Sequence, residues 1–210
     1  MTHTDAPLLE LRGIQKHFGA SRALAGVDLS LNKGEIHALC GENGAGKSTL
    51  MKILAGIHKP DAGSVVLDGT TVAIDGPAHA MRLGIGLVHQ EIALCGDATV
   101  AENVFMGQIN ASPRSWMDYA DLNKRASAIL QRLGQDIDPG RKVECLSLSQ
   151  QQLVEIAKAL SLDCKVLILD EPTAALTEME SAALFQVLHE LKRQGIGIIY
   201  ISHRLSLIHI

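Results

Sequence analysis

One run of residues, Gly41-Glu42-Asn43-Gly44-Ala45-Gly46-Lys47-Ser48-Thr49, fits the pattern G-x-x-x-x-G-K-[ST]. These residue types at this spacing suit one task, which is holding a string of phosphates. Glycines at 41, 44 and 46 let backbone N–H groups converge with no Cβ in the way. The start of the following helix adds its own free N–H groups, a ready site for an anion. Lys47 would place a mobile positive charge on the β- and γ-phosphates, and the Ser48 hydroxyl would hold Mg²⁺. Thr49 would add a hydrogen bond to phosphate.

A second set of reactive residues closes the run Val166-Leu167-Ile168-Leu169-Asp170-Glu171. Asp170 ends an apolar strand, where its carboxylate can complete the Mg²⁺ shell begun by Ser48. Glu171, one position on, could polarise or take a proton from water attacking a γ-phosphate.

These residues need particular elements around them. The segment 35–40 ahead of the glycine loop reads as a short buried strand, and Leu50, Met51, Ile53 and Leu54 after it have helical spacing. Leu8 to Arg12, Val27 to Leu31, Ser64 to Gly69 and Thr71 to Ile74 read as strands of a small, partly antiparallel sheet. Met81 to Val88 passes from a short helix into an apolar strand. Helical patterns dominate from about 90 to 156: 100–106, then 118–133 with Leu122, Ala126, Ile129 and Leu133 on one face, then a helix from about Ser149 through Leu160. The apolar runs 166–169 and 197–201 read as parallel strands buried on both faces, with a helix over 178–194 between them. The fold class is therefore α/β: a mainly parallel core, a small antiparallel β subdomain and an inserted α-helical subdomain.

Composition limits the alternatives. With 47% hydrophobic and 20% charged residues the chain is globular, and with 3% aromatics its core must be aliphatic. A net charge of −4 without a long basic run argues against nucleic acid as the main partner. Cys40, Cys95, Cys145 and Cys164 form no C-x-x-C pair and no ligand cluster, which points to reduced thiols. No signal-peptide pattern opens the chain, and no run of about eighteen apolar residues occurs, so a membrane role would come through a partner.

Further motifs carry a resemblance. Leu146-Ser147-Leu148-Ser149-Gln150 resembles the LSGGQ signature of ABC-type ATPases, a branch of the P-loop NTPases. Gln90 matches that family's Q-loop, Ala174-Ala175-Leu176-Thr177 its D-loop, His203 its switch histidine, and Phe18 the ring that stacks on adenine. His89-Gln90-Glu91, the segment 99–104, the segment 151–160 and Ile201-Ser202-His203-Arg204-Leu205 resemble bacterial monosaccharide importers of the ribose, xylose and galactose type. In that subfamily one polypeptide carries two ATPase domains, and this chain is similar to the first, over 1–205 with its helical subdomain at about 90–156.

The resemblance implies an ATP-binding and ATP-hydrolysing subunit coupled to sugar uptake, peripheral at the cytoplasmic face of the inner membrane. Its partners would be transmembrane permease subunits, a second ATPase domain and, indirectly, a periplasmic sugar-binding protein. Gln90 would touch the Mg²⁺ site and the permease. His203 would contact the γ-phosphate. Ser147, Ser149 and Gln150 would close over ATP held by the opposing domain. Two residues depart from the family pattern: Ser149 stands where glycine is usual, and Thr177 where the D-loop aspartate is usual. A nucleoside importer of the same lineage, whose Q-loop often reads His-Gln-His, is disfavoured by Glu91. A soluble ABC ATPase acting on ribosomes or DNA should carry basic arms, and none is seen; a fragment that binds ATP without turnover is the third rival. The last residues, Leu-Ser-Leu-Ile-His-Ile at 205–210, match the in-frame translation of a library adapter, so residues 206–210 are expected to be a non-native tail and the natural protein to be longer.

Overall fold

The structure is a computed structural model that describes residues 6–42, 44–109 and 118–202. It divides into two compact units. The first holds the chain to Leu87, then Cys164–Glu171 and the chain from Leu191 onward; the second holds Val88–Asp163 and Pro172–Glu190.

In the first unit, β1 (Leu9–Phe18), β2 (Ser21–Leu31), β4 (Ala62–Leu67) and β5 (Thr70–Val72) form an antiparallel sheet in the order β2-β1-β4-β5. A second sheet runs in the order β3 (Ile36–Cys40), β8 (Gly197–Ser202), β7 (Val166–Asp170), β6 (Ile85–Val88). The β3–β8 and β7–β8 pairings are parallel. Leu167, Ile168 and Leu169 of β7 are fully buried, as are Ile198 and Ile199 of β8. Uninterrupted aliphatic runs suit strands covered on both faces.

β3 departs from the expectation of a buried strand. Its residues are half-buried, and Ala38 is exposed. The reason is position: β3 ends the order of the sheet, so one flank has no neighbouring strand among the described residues. Helix α1 (Lys47–Leu54) buries Leu50, Met51, Ile53 and Leu54. These join Leu9, Leu11 and Val65 of the antiparallel sheet and Ile168, Ile199 and Ile201 of the parallel sheet in one aliphatic core. Helix α2 (Pro77–Arg82) leads into β6.

The second unit contains α3 (Val100–Ile109), α4 (Tyr119–Arg132), α5 (Leu148–Leu160) and most of α6 (Glu178–Arg193). The buried face of α4 is Leu122, Ala126 and Leu130, with Leu133 just beyond its end; Leu130 lies deeper than the expected Ile129, which is half-buried. Three of the helices start on a reciprocal cap. Thr99 and Glu102 cap α3, Ser147 and Gln150 cap α5, and Thr177 and Glu180 cap α6, each pair exchanging side-chain and backbone bonds. Asn103 is fully buried and ties α3 to the preceding loop through both backbone groups of Cys95. Among the described residues no helix is long and apolar enough to cross a membrane.

Candidate functional site

The glycine loop leaves β3 and enters α1 through Gly46, which sits at φ 86 as the N-cap of the helix and offers no side-chain cap. The first N–H groups of α1 are therefore left for another acceptor. Gly44 shares the same φ of 86. Positive φ is the region that favours glycine. Gly46 is needed twice over, since a Cβ there would lie 2.6 Å from the Ala23 carbonyl oxygen and 2.8 Å from Leu24 Cδ2. Gly41 differs from what the motif suggests. Its φ is not positive, and a Cβ would meet Ala45 Cβ at 3.4 Å. Its contribution, with Glu42, is a carbonyl: Lys47 Nζ donates to Gly41 O at 2.6 Å and to Glu42 O at 2.8 Å.

Gly44, Ala45, Gly46, Lys47, Ser48 and Thr49 line a pocket of about 240 Å³ together with Asp170 and Glu171. Two segments more than a hundred residues apart in sequence thus meet because β7 ends beside the loop's mouth. Asp170 is the last residue of β7 and half-buried. Glu171 follows at φ 49, a backbone conformation that costs a non-glycine residue about 1–3 kcal/mol, and its N–H is pinned to Ile201 O at 3.1 Å. Such strain is held in place by surrounding structure and concentrates where a side chain must be aimed.

The same pocket includes Ser21, Arg22 and Ala23 at the start of β2. Arg22 adds a second cation to the lining, and no local motif announces it. Phe18 lies outside that lining, at the end of β1. Its ring is 44% exposed, meets His58 edge-on at 5.2 Å between centroids, and has Lys16 Nζ at 5.7 Å. Lys16 is itself held by Asp61 at 2.7 Å. With nearly half of the residue exposed, Phe18 keeps apolar surface open to a further partner.

The remaining expected residues lie elsewhere. Gln90 belongs to the second unit and is exposed. Ser147, Ser149 and Gln150 form the start of α5, also in the second unit. Ser147 Oγ accepts from Gln150 N at 3.3 Å and lies 3.0 Å from Ser149 Oγ; Ser147 N donates to Gln150 Oε1 at 3.1 Å. Thr177, expected only as a departure from the D-loop pattern, is the N-cap of α6. The T-x-x-E spacing of Thr177 and Glu180 is the signal that marks it. Asn43 and His203 fall outside the described residues, as does the tail at 206–210.

Ser48 and Asp170 supply hard oxygen donors to one pocket, which is the donor chemistry a magnesium ion takes. Among the described residues no cluster of three or more His, Cys, Asp or Glu side chains could hold a metal by itself. A site completed by substrate phosphates is the arrangement usual for Mg²⁺.

A strand, a glycine loop and a helix start facing an acidic strand end define a nucleotide-binding cassette. The chain belongs to the ABC transporter family, whose pattern matches residues 24–174. It is 59% identical over 200 residues to the ribose import ATP-binding protein RbsA 2 of Rhizobium etli, covering 95% of this chain and 39% of that protein. The chain spans about 40% of the length of the curated relatives it matches. Among solved structures, a nucleotide-free ATP-binding cassette from an ABC transporter superposes with a TM-score of 0.86 at 33% identity, covering 97% of this chain and 84% of that one. A dimeric ATP-binding cassette in a post-hydrolysis state with ADP and Pi gives a TM-score of 0.77 at 28% identity, covering 95% and 89%.

Proposed function

We propose that this chain binds ATP with Mg²⁺ and hydrolyses it, as the first of two nucleotide-binding domains of a bacterial monosaccharide importer. The observation that carries the reading is the pocket shared by Lys47, Ser48, Asp170 and Glu171. Backbone N–H groups of the loop and of the α1 start receive the phosphates, and Lys47 moves its ammonium from loop carbonyls onto their oxygens. Ser48 and Asp170 would hold the magnesium ion, which supplies charge neutralisation on the phosphates when bound. Glu171, aimed by its strained backbone, orients and deprotonates the attacking water. Most of the rate enhancement then comes from positioning and electrostatics, as in other phosphoryl transfers. Phe18 would stack on adenine, and Gln90 and His203 would report the state of the γ-phosphate.

The signature residues Ser147, Ser149 and Gln150 would serve the nucleotide of an opposing ATPase domain, a reading supported by the dimeric post-hydrolysis cassette. Transmembrane permease subunits and a periplasmic binding protein would complete the importer at the cytoplasmic face of the inner membrane, and a ribose-like sugar is the cargo suggested by the relatives' names. Equilibrium binding and phosphate release test the assignment. Lys47→Ala should weaken Mg-ATP binding at least about tenfold, the loss of one charge-assisted contact. Glu171→Gln should bind normally and lose turnover. Unchanged nucleotide affinity in Lys47→Ala would refute the site. Sugar uptake by vesicles holding the full importer, compared for ribose and a nucleoside, tests the cargo.

A further inference from the structure

Two side chains of α5 take hold of one residue shortly after Gln90. Glu155 Oε1 accepts from Ala93 N at 3.0 Å, and Lys158 Nζ donates to Ala93 O at 3.2 Å. Glu155 and Lys158 stand at i and i+3 of the helix, hence on one face, with Lys158 Nζ 4.0 Å from Glu155 Oε1. Ala93 is thus gripped through both of its backbone groups. Slightly further on, Cys95 is gripped in the same way by Asn103 of α3. All of these residues, and Gln90 with them, belong to the second unit.

Packing does not call for a glutamate at 155. The residue is 7% exposed, and its neighbours along α5, Leu153, Val154, Ile156 and Ala157, are buried aliphatic side chains. Leucine would fill such a position at less cost, because a buried carboxyl group must have its hydrogen bonds made. Ala93 does not call for Glu155 either, since it is exposed and water could take its N–H. What the pair achieves is a fixed place for the chain that leaves Gln90.

We propose that Glu155 is a positioning residue: with Lys158 it anchors the segment after Gln90 to α5 and so holds Gln90 ready to act at the Mg²⁺ site. The proposal rests on the reading of Gln90 as part of that site. Strand β6 ends at Val88, so Gln90 lies on the short stretch 89–92 between a strand end and the anchored Ala93. Releasing one end of so short a stretch adds conformers that must be lost again when Gln90 engages. Helix α5 begins at the Ser147 cap, so the element that anchors the Gln90 segment also carries the signature residues.

Amide exchange and nucleotide binding by this chain test the proposal. Glu155→Leu removes the acceptor and keeps the bulk, whereas Glu155→Gln still offers a carbonyl oxygen to Ala93 N–H. In nucleotide-free protein, exchange at Ala93, read by mass spectrometry on a peptide covering 90–95, should quicken about tenfold in Glu155→Leu, the loss of one hydrogen bond to a charged group. It should quicken less in Lys158→Met and stay at the wild-type rate in Glu155→Gln. Affinity for a non-hydrolysable ATP analogue would be measured with Mg²⁺ and with EDTA. Glu155→Leu should cut the gain that Mg²⁺ brings by about tenfold, the lower end for a residue that orients a group at a metal site, at unchanged affinity in EDTA. Glu155→Gln should keep the full gain. In a Gln90→Ala background, Glu155→Leu should change it by less than about twofold, because its effect passes through Gln90. The Lys158 side chain is 26% exposed, so Lys158→Met carries the same two readouts if Glu155→Leu does not fold. Unaltered exchange in both Glu155→Leu and Lys158→Met would overturn the anchor. Faster exchange with the Mg²⁺ gain intact, or a loss that adds in full to that of Gln90→Ala, would make Glu155 a packing residue, overturning the proposal and sparing the site. A Mg²⁺ gain that Gln90→Ala itself leaves intact would overturn the reading of Gln90 and the proposal together.

Discussion

Gly44 and Gly46 offer a controlled comparison, because both have φ 86 and only one is crowded. Alanine at either position pays the left-handed penalty of about 1–2 kcal/mol. At Gly44 nothing lies within 4 Å of the new Cβ. At Gly46 the methyl would sit 2.6 Å from the Ala23 carbonyl oxygen, well inside the ordinary contact range that begins near 3.4 Å. Ala23 belongs to β2, and its neighbour Leu24 is 3% exposed and paired with Lys16 of β1, so that wall cannot retreat cheaply. Overpacking of this kind costs about 1–3 kcal/mol. Gly44→Ala should therefore lose about 1–2 kcal/mol, and Gly46→Ala about 2–5 kcal/mol. Urea unfolding followed by far-UV circular dichroism gives both values if the slope is shared among the three proteins. Gly46 is also the N-cap of α1, so relief of the clash must shift Lys47 and Ser48 together. Gly46→Ala should then lose nucleotide affinity under conditions where it remains folded, while Gly44→Ala keeps most of it. Equal destabilisation by the two substitutions would refute the steric argument, since the backbone term is common to both.

Arg22 lines the pocket yet is exposed, so Arg22→Ala should weaken Mg-ATP binding by a few-fold at low salt, with the difference fading at high salt; isothermal titration at two ionic strengths reads it. The Asp61 carboxyl is lowered to about 2, first by Lys16 and then by the His17 N–H. Its folded value lies below its unfolded one, so its contribution is complete above about pH 4 and disappears as pH falls through about 2. Acid titrations of wild type and Asp61→Asn should converge across that window, and parallel curves would contradict it. Burial pushes the Cys164 thiol up to about 12, whereas Cys95 and Cys145 are exposed. Brief iodoacetamide treatment followed by mass mapping should label 95 and 145 and spare 164 until urea is added.

What could be read from sequence follows the range of the interactions that decide it. The runs 166–169 and 197–201 announce buried parallel strands because they hold only aliphatic side chains, Gly197 and Tyr200, and the structure buries them. Ile36-His37-Ala38-Leu39-Cys40 is nearly as apolar but lies at the end of its sheet, and a strand's place in the order depends on partners more than a hundred residues away. Helix α4 was legible as a helix but not in fine phase: at 100° per residue, one position separates Ile129 from the deeper Leu130. Lys47, Ser48 and Asp170 stand out because a phosphate loop and an acidic strand end are each local patterns. Arg22 has no such pattern; it reaches the pocket only through the pairing that carries β2 past the loop. The 3.0 Å approach of Ser149 Oγ to Ser147 Oγ joins a departure from the family pattern to a helix cap that the sequence marks only by its S-x-x-Q spacing. A departure from a family pattern is informative at this level, since the residue replacing glycine gains a partner that glycine could not have. That partner is the Ser147 hydroxyl that caps α5, so the substitution changes the hydrogen bonding of the helix start as well as its backbone freedom.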